Sequence, residues 1–500
     1  MEHEERPVAP SLGIDAVPVL AHALRARRQD VVTAGLLLAL WVGFFVVAIA
    51  NGMEGVSLGV VPGVPWPLLY GFVCLAHWGG HASAGRGAVY NLDKATLREA
   101  VKGKASIRVL KTVGPPVLLI IYWIMALVNI ADDWSAVVFP LAMALPVWAH
   151  RHRVDEVMRQ ELGRQEFARR RRAVPGGRRQ YRRIAAAIDR EQYAGLTIYD
   201  PSRPFVGMGK PYEPWSFALE LRRREGAPLG GPQLTGRAVV DMIRPRLEAL
   251  RDSAAATSKD RLKDLEIEEF VYFPVGPHRS QVPYQEDFVV QNLRDAVDEG
   301  GEARRYFMRV RVGAWDEQVV VSVLVRVHTQ GRMLVLEVVP HVLMPIRHDF
   351  RAVDAIAARR ADPLRDGARA LLGAPAAGFA SAVSAIRTGV ALFRTWLADP
   401  QRAVPDGPAG SVREMAGTQG VSLFQEMDIS RYVKTVQDRI ASGVRVALRQ
   451  LDYETDQFEQ KIVQIGEGGV YIGSMSGGAV AAGKGAQATQ SVRGDGGRDG

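Results

Sequence analysis

Cysteine is almost absent from this chain. Cys74 stands alone among 500 residues, so no intrachain disulfide framework and no cysteine-based metal site can form. Lysine is scarce as well: 10 of the 63 basic residues are Lys, which leaves 53 Arg. None of the candidate His, Asp and Glu residues of the middle region falls into an H-E-x-x-H or G-x-S-x-G spacing. A signal peptide is not expected either, because the first apolar run starts only at Val31 and no small-residue cleavage site of the usual kind follows it. No cofactor, no metal and no specific nucleic acid are expected from these residues.

What is present is unevenly distributed. Five hundred residues exceed one hydrophobic core, so two or more units are expected. Long apolar runs crowd the first third, the middle reads as globular, and the last hundred residues are rich in Gly, Ser, Gln and charge. The Arg excess, with abundant Ala, Gly and Val, resembles that of uncharacterised actinobacterial multi-pass membrane proteins. That resemblance is one of composition and covers no motif, and it implies a membrane location.

Four apolar runs shape the expected fold: Val31–Asn51, about Leu58 to Trp78, about Val113 to Ala131, and about Trp134 to Ala149. About 20 uncharged residues cross a bilayer core as a helix. The expectation is a four-helix transmembrane domain over 31–150, behind a cytoplasmic segment 1–30. Its orientation follows from the flanks. Arg25, Arg27 and Arg28, the seven Lys and Arg between Arg86 and Lys111, and Arg151 with Arg153 all lie on one side, whereas the loops at 52–57 and Asp132–Asp133 carry none. The plasma membrane, with both termini cytoplasmic, is the expected location. The spans hold no charge, which favours an anchor over a transporter; an oligomeric channel is the alternative. His77 and His81, four residues apart, read as solvated rather than as a metal site.

Residues 151–192 form a basic connector. Between Arg151 and Arg183 there are twelve Arg and four acidic residues, with a helix expected to run until Pro175-Gly176-Gly177. Arg169, Arg170, Arg171, Arg172, Arg178 and Arg179 are the candidate contacts to anionic headgroups, each gaining roughly 1 kcal/mol near the surface.

Residues 193–350 are expected to form an α+β domain. Strands are predicted at Leu196–Tyr199, Trp215–Leu221, Leu265–Val275, Arg304–Val312, Glu317–His328 and Arg332–Leu343. A helix opens at Leu234-Thr235, and a hairpin turns at Thr329-Gln330-Gly331. In the fifth strand Val321, Val323, Val325 and Val327 face a core, opposite a partly polar face of Ser322, Leu324, Arg326 and His328. For an enzyme, the candidates are His278, His328, His341, His348, Asp349 and Glu337; a strand-end His with a nearby carboxylate can act as general base. The loop Phe205–Lys210 suggests an anion cradle but lacks P-loop spacing.

The C-terminal third divides into an Ala-rich helical segment (351–399), a linker (400–427), a helix over 428–465 begun by Asp428, and a Gly-rich tail (466–500) expected to be disordered. In the helix, Ile429, Val433, Val436, Ile440, Val444 and Leu448 form a stripe suited to packing on a partner helix, hence a possible homo-oligomer through 428–465. The functional expectation is a non-enzymatic anchor for a cytoplasmic binding, sensing or assembly domain. The alternative is a membrane-bound enzyme in which His341, His348 or the Phe205–Lys210 loop meet in one pocket.

Overall fold

The computed structural model describes all residues except 1–5, 11–13, 53–54, 59–60, 85–106, 178, 229–230, 255–259, 277–280, 317, 359–366, 369, 378–382, 384–385, 387–388, 391–406 and 467–500. The expected Gly-rich tail therefore lies outside the described residues, apart from Gly466. The chain divides into two compact units. One comprises Met1–Leu20, Val174–Phe350 and Pro400–Gly500; the other comprises Ala21–Ala173 and Arg351–Asp399.

The second unit is helical: α1 (Ala16–Ala50, its first turn lying in the other unit), α2 (Trp66–Ala84), α3 (Ile107–Val128) and α4 (Ser135–Val157). Aromatic side chains lock it together. Phe44 stacks on Phe139 with ring centroids 5.0 Å apart, Trp66 meets Tyr122 edge-on, and the Tyr122 hydroxyl donates to the Ala136 carbonyl at 2.7 Å. Ala374, from the Ala-rich segment, joins this core.

The four-span expectation is corrected here. Among the described residues only α1 is long and apolar enough to cross a membrane, with a mean hydropathy of 2.5 over its most apolar window. The reason is that a run of uncharged letters is not a run of helix. In the second run, Val61–Pro65 forms strand β2, paired antiparallel with β1 (Gly55–Leu58), so α2 starts only at Trp66. In the third, the helix begins with Arg108 and Lys111, and its apolar part is the shorter stretch Gly114–Val128. In the fourth, apolar residues end at Ala149, and His150, Arg151, His152 and Arg153 follow within the same helix. A multi-pass architecture falls with that correction.

After α4 the chain makes a π-helical turn, Met158–Leu162, and breaks at Gly163, whose ψ of 141° is extended. The break therefore comes twelve residues before Pro175, and the short α5 (Arg164–Arg169) follows it. Glu161 gathers Arg25 at 2.7 Å and Arg170 at 3.5 Å.

The first unit is a mixed α/β domain. Its seven-stranded sheet runs β3 (Leu196–Tyr199), β6 (Glu266–Pro274), β7 (Arg305–Ala314), β8 (Val319–Gln330), β9 (Met333–Leu343), β4 (Lys210–Pro211), with β5 (Trp215–Glu220) also paired to β9. Only β3 and β6 run parallel; every other pair is antiparallel. The β8–β9 hairpin closes on Gln330 opposite Met333. Its two turn residues, Gly331 and Arg332, have φ of 57° and 65°, the handedness that matches strand twist.

Helices α7 (Gly236–Ser253), α11 (Leu423–Gln450) and α12 (Asp456–Gly466) pack their apolar stripes into the core shared with the first face of the sheet. Thr235 caps α7 by accepting from the Ala238 amide at 3.2 Å. The cap of α11 is Ser422, in a reciprocal box with Gln425, rather than Asp428, which sits inside the helix and bonds Arg431 and Trp315. The stripe Ile429, Val433, Val436, Ile440, Val444 and Leu448 is buried against the chain's own core. That stripe therefore offers no surface to a second copy while the domain is folded.

Candidate ligand-binding site

The second face of the sheet is where the chemistry collects. Register places Glu266, Arg311, Ser322 and His341 side by side across β6, β7, β8 and β9, and Glu268, Arg309, Leu324 and Val339 in the next row. Alternation in β8 predicts this face as partly polar, yet Ser322, Arg326 and His328 are all buried. Buried cations need partners. Each arginine finds a carboxylate on a neighbouring strand: Arg309 pairs with Glu268, Arg311 with Glu266 at 2.8 Å, and Arg326 with Glu337 at 3.3 Å. Glu337 is thereby engaged as an ion-pair partner. Burial and then the nearby Arg326 lower the pKa of His328.

Toward the β9 edge, the connection from β3 to β5 folds over this face. Phe205 inserts its ring edge-on against Tyr272, Phe307 and His341, with centroids 5.7, 5.4 and 5.0 Å away. Met208, fully buried, joins the same cluster. Gly209 makes the approach possible. Its φ is 95°, and a Cβ there would stand 2.2 Å from the Val342 carbonyl oxygen, so any L side chain would collide with backbone.

Glu414 fixes the loop from the other side. It sits in the one-turn helix α10 (Val412–Met415), and its Oε1 accepts from the Gly207 amide at 2.8 Å and the Gly209 amide at 2.9 Å. Two adjacent N–H groups aimed at one oxygen form an anion nest. Here the chain supplies the anion itself. Arg413 anchors the same turn, donating to the Met344 and Gln318 carbonyls at 2.8 Å each. The segment expected as linker from Gly407 onward is thus built into the unit.

Between the loop, β9 and α10 lies a cavity of about 590 Å³, lined on its apolar side by Phe205, Val206, Val339, Val342, Leu343 and Met344. Its polar lining comprises Arg203, Lys210, His341, Glu414, Ser202 and Thr418. Lys210 Nζ donates to the Gln419 carbonyl at 3.0 Å. His341 Nδ1 lies 3.2 Å from the Val339 carbonyl oxygen, which can only accept. Nδ1 therefore carries the proton of the neutral ring, and Nε2 holds the lone pair. Burial depresses this imidazole to about 4, against a weaker upward pull from that bond, so it is neutral at pH 7.

Of the residues singled out from sequence, His341 and the Phe205–Lys210 loop are brought together. His348 and Asp349 are not: they open the exposed α9 (His348–Ala357). His278 and Arg178 lie outside the described residues. Arg169, Arg170, Arg171 and Arg172 are exposed, as is Arg179 at the start of α6 (Arg179–Gln192). Arg169 pairs with Glu166 at 3.7 Å. His77 bonds its own helix at the Val73 carbonyl, and the side chain of His81 is outside the described ones. Among the described residues no group of three or more His, Cys, Asp or Glu side chains is placed to hold a metal ion. Glu414, Arg413 and Thr418 had no signal in the sequence, because a four-residue helix is too short to show a period.

The sequence model of a family described as an AbeC-like domain matches residues 214–477. The chain belongs to the AbeC-like family. No curated protein and no solved structure matches it. The AbeC-like match begins just before β5 and includes β6 to β9, α7, α10, α11 and α12. It leaves out β3, β4 and the glycine loop. The cavity thus has one wall inside the AbeC-like domain, Val339–Met344 with Gly410–Thr418, and one wall, Ser202–Pro211, contributed by the chain before it.

Proposed function

We propose that this protein is a membrane-attached binding protein, in which helix α1 holds the chain at the bilayer and the mixed α/β domain takes a small ligand into the cavity beside His341. The observation that carries the reading is that cavity. Its size falls in the range of ligand sites, its floor is apolar, and its few polar groups converge from three separate segments.

An apolar N-terminal helix also suits a cleaved signal sequence. The contacts made just before it argue for retention. The Val8 amide donates to Glu191 Oε2 at 2.9 Å, the Ala16 amide to Gln192 Oε1 at 2.9 Å, and Gln192 Nε2 to Asp15 Oδ1 at 3.0 Å. Glu191 and Gln192 are each 3% exposed. Cleavage after α1 would strip these bonds from buried polar groups, at about 1–3 kcal/mol for each one left unmade. Arg25, Arg27 and Arg28 lie in the first half of α1, where in this reading they too contact anionic headgroups. The exposed Arg169, Arg170, Arg171, Arg172 and Arg179, with Arg178, serve as headgroup contacts in this reading.

The test uses the full chain purified in neutral detergent. Mass spectrometry of the denatured protein should release a small molecule from the wild type and none from Val339→Trp or Val206→Trp, which fill the cavity. Circular dichroism of each variant checks that the fold is kept. Release of the same molecules from wild type and both folded variants would sink the proposal. The Nε2 lone pair of His341 favours an enzyme as second reading. In that case His341→Gln should change the recovered molecule from product to substrate, whereas a binding protein recovers one compound in both.

A further inference from the structure

We infer that the cavity takes an anionic amphiphile, a carboxylate or phosphate monoester head on an apolar tail. This rests on the reading of the cavity as a ligand site and adds the class of ligand. Charge comes first. Two cations line the cavity, Arg203 and Lys210. Among the described residues neither side chain lies within ion-pair distance of a carboxylate; the Arg203 guanidinium donates to the Ala409 carbonyl at 3.4 Å and Lys210 Nζ to the Gln419 carbonyl. Asp200 does not line the cavity; its Oδ1 accepts from the Ser202 amide and hydroxyl at 2.8 and 2.6 Å, which lower its pKa most, with a smaller contribution from the Arg203 charge. The one carboxylate in the lining, Glu414, already faces the Gly207 and Gly209 amides. His341 is neutral. Both cationic side chains are exposed; two cations against one carboxylate leave the lining with an excess of one positive charge, which favours an anion over a neutral group.

Shape and apolarity supply the rest. At roughly 30 Å³ for each water-sized group, 590 Å³ holds on the order of 20 non-hydrogen atoms, far more than a bare phosphate or carboxylate. The wall opposite the cations is Phe205, Val206, Val339, Val342, Leu343 and Met344, which has no polar atoms to offer a sugar or a nucleobase. His341 Nε2 gives one acceptor for a protonated phosphate oxygen or a hydroxyl. The segment that supplies Gly410, Glu414 and Thr418 to the lining also presents Met415, Leu423, Phe424 and Met427 outward, each more than half exposed. That apolar surface next to the cavity suits a ligand that partitions with lipid.

The experiment is a displacement titration with cis-parinaric acid, a fluorescent fatty acid, on the full chain in neutral detergent, with empty micelles as baseline. Saturable fluorescence is expected, displaced by oleate and by oleyl phosphate, and at least tenfold less well by oleyl alcohol. Inorganic phosphate should not displace it. Lys210→Gln should weaken binding about tenfold and Lys210→Arg should restore it; Val339→Trp should abolish it. If oleyl alcohol competes as well as oleate, or Lys210→Gln binds like wild type, the anionic head is wrong, while sensitivity to Val339→Trp would still uphold the cavity as a binding site. Displacement by inorganic phosphate alone overturns the tail. Absence of saturable binding overturns the whole inference, and the proposed function would then stand only if the wild type released a molecule of another class.

Discussion

Two residues of the site carry measurable consequences. His341 ionises near 4 in the folded chain because it is buried, against an ordinary histidine value of 6.5. The unfolded chain therefore takes up a proton between pH 6.5 and about 4 that the folded chain refuses. By linkage, stability falls as pH is lowered through that window and is unaffected above it, by roughly 3 kcal/mol at its acid end. His341→Gln should flatten this part of the pH–stability curve, measured by urea titration at pH 7 and pH 5; an unchanged slope would mean that the ring is hydrated. Glu414 acts through the loop. Glu414→Gln keeps an acceptor for the Gly207 and Gly209 amides but loses the charge assistance, an expected cost of about 1 kcal/mol. Glu414→Ala leaves both amides unpaired at about 1–3 kcal/mol each, with protease cleavage appearing between Phe205 and Lys210. Cleavage that stays at the wild-type rate in both variants would show that Glu414 does not order the loop. Sequence alone brought His341 and the glycine loop forward, since strand ends and glycines leave local marks. Glu414 left none, because what matters about it is a contact 207 residues away along the chain.

At the level of elements, legibility followed period. The strands of the β8–β9 hairpin and helix α7 show in the sequence within a few residues of their ends, because alternation and a Thr cap are local. The polar face of β8 misleads: Arg326 and His328 look solvated but are buried, and the groups that hold Arg326, Glu337 on β9 and the Glu299 carbonyl, are not visible from β8 itself. The α11 stripe misleads in the opposite sense. Its period is real, yet its partner is α7 in the same chain, and Gly443, readable only as a weak point in a helix, is where the two helices meet. A Cβ at Gly443 would stand 2.6 Å from Ile243 Cα and Cγ1. Gly443→Ala gains up to about 1 kcal/mol of helix propensity and should still destabilise the domain by a net 1–2 kcal/mol or so, since overpacking of this kind costs about 1–3 kcal/mol. In the background Ile243→Ala, which removes the crowded Cγ1 though not Cα, Gly443→Ala should cost less than it does in the wild type in chemical denaturation. A single variant as stable as wild type would mean that α7 and α11 can move apart without penalty.

For the whole molecule, the deciding question is what α1 does. Counting uncharged residues suggested four crossings; hairpin β1–β2, the basic start of α3 and the basic end of α4 shorten three of those runs, and α1 alone keeps the length. Its inward residues Leu37 and Phe44 pack on the other helices of its unit, whereas Leu38 and Val42 are 66% and 55% exposed. Apolar side chains that point away from a protein core need lipid or a protein partner over them. Lys held among acyl chains costs about 2.5–3.5 kcal/mol on the insertion scale, so the pair Leu38→Lys and Val42→Lys together should cost on the order of 6 kcal/mol if that face is embedded. Carbonate extraction of membranes should then leave wild type in the pellet and release the double variant. The control is Leu37→Ala, which weakens packing inside the bundle without adding charge, and which should stay in the pellet. Release of wild type by carbonate, or a double variant that remains as firmly bound as wild type, would remove α1 as the anchor and assign its outward face to a protein partner. The chain recovered in the pellet should by intact mass still include Val8, because the Val8 and Ala16 amides bond Glu191 and Gln192 of α6, so that attachment through α1 and the fold of the α/β domain would depend on the same N-terminal segment.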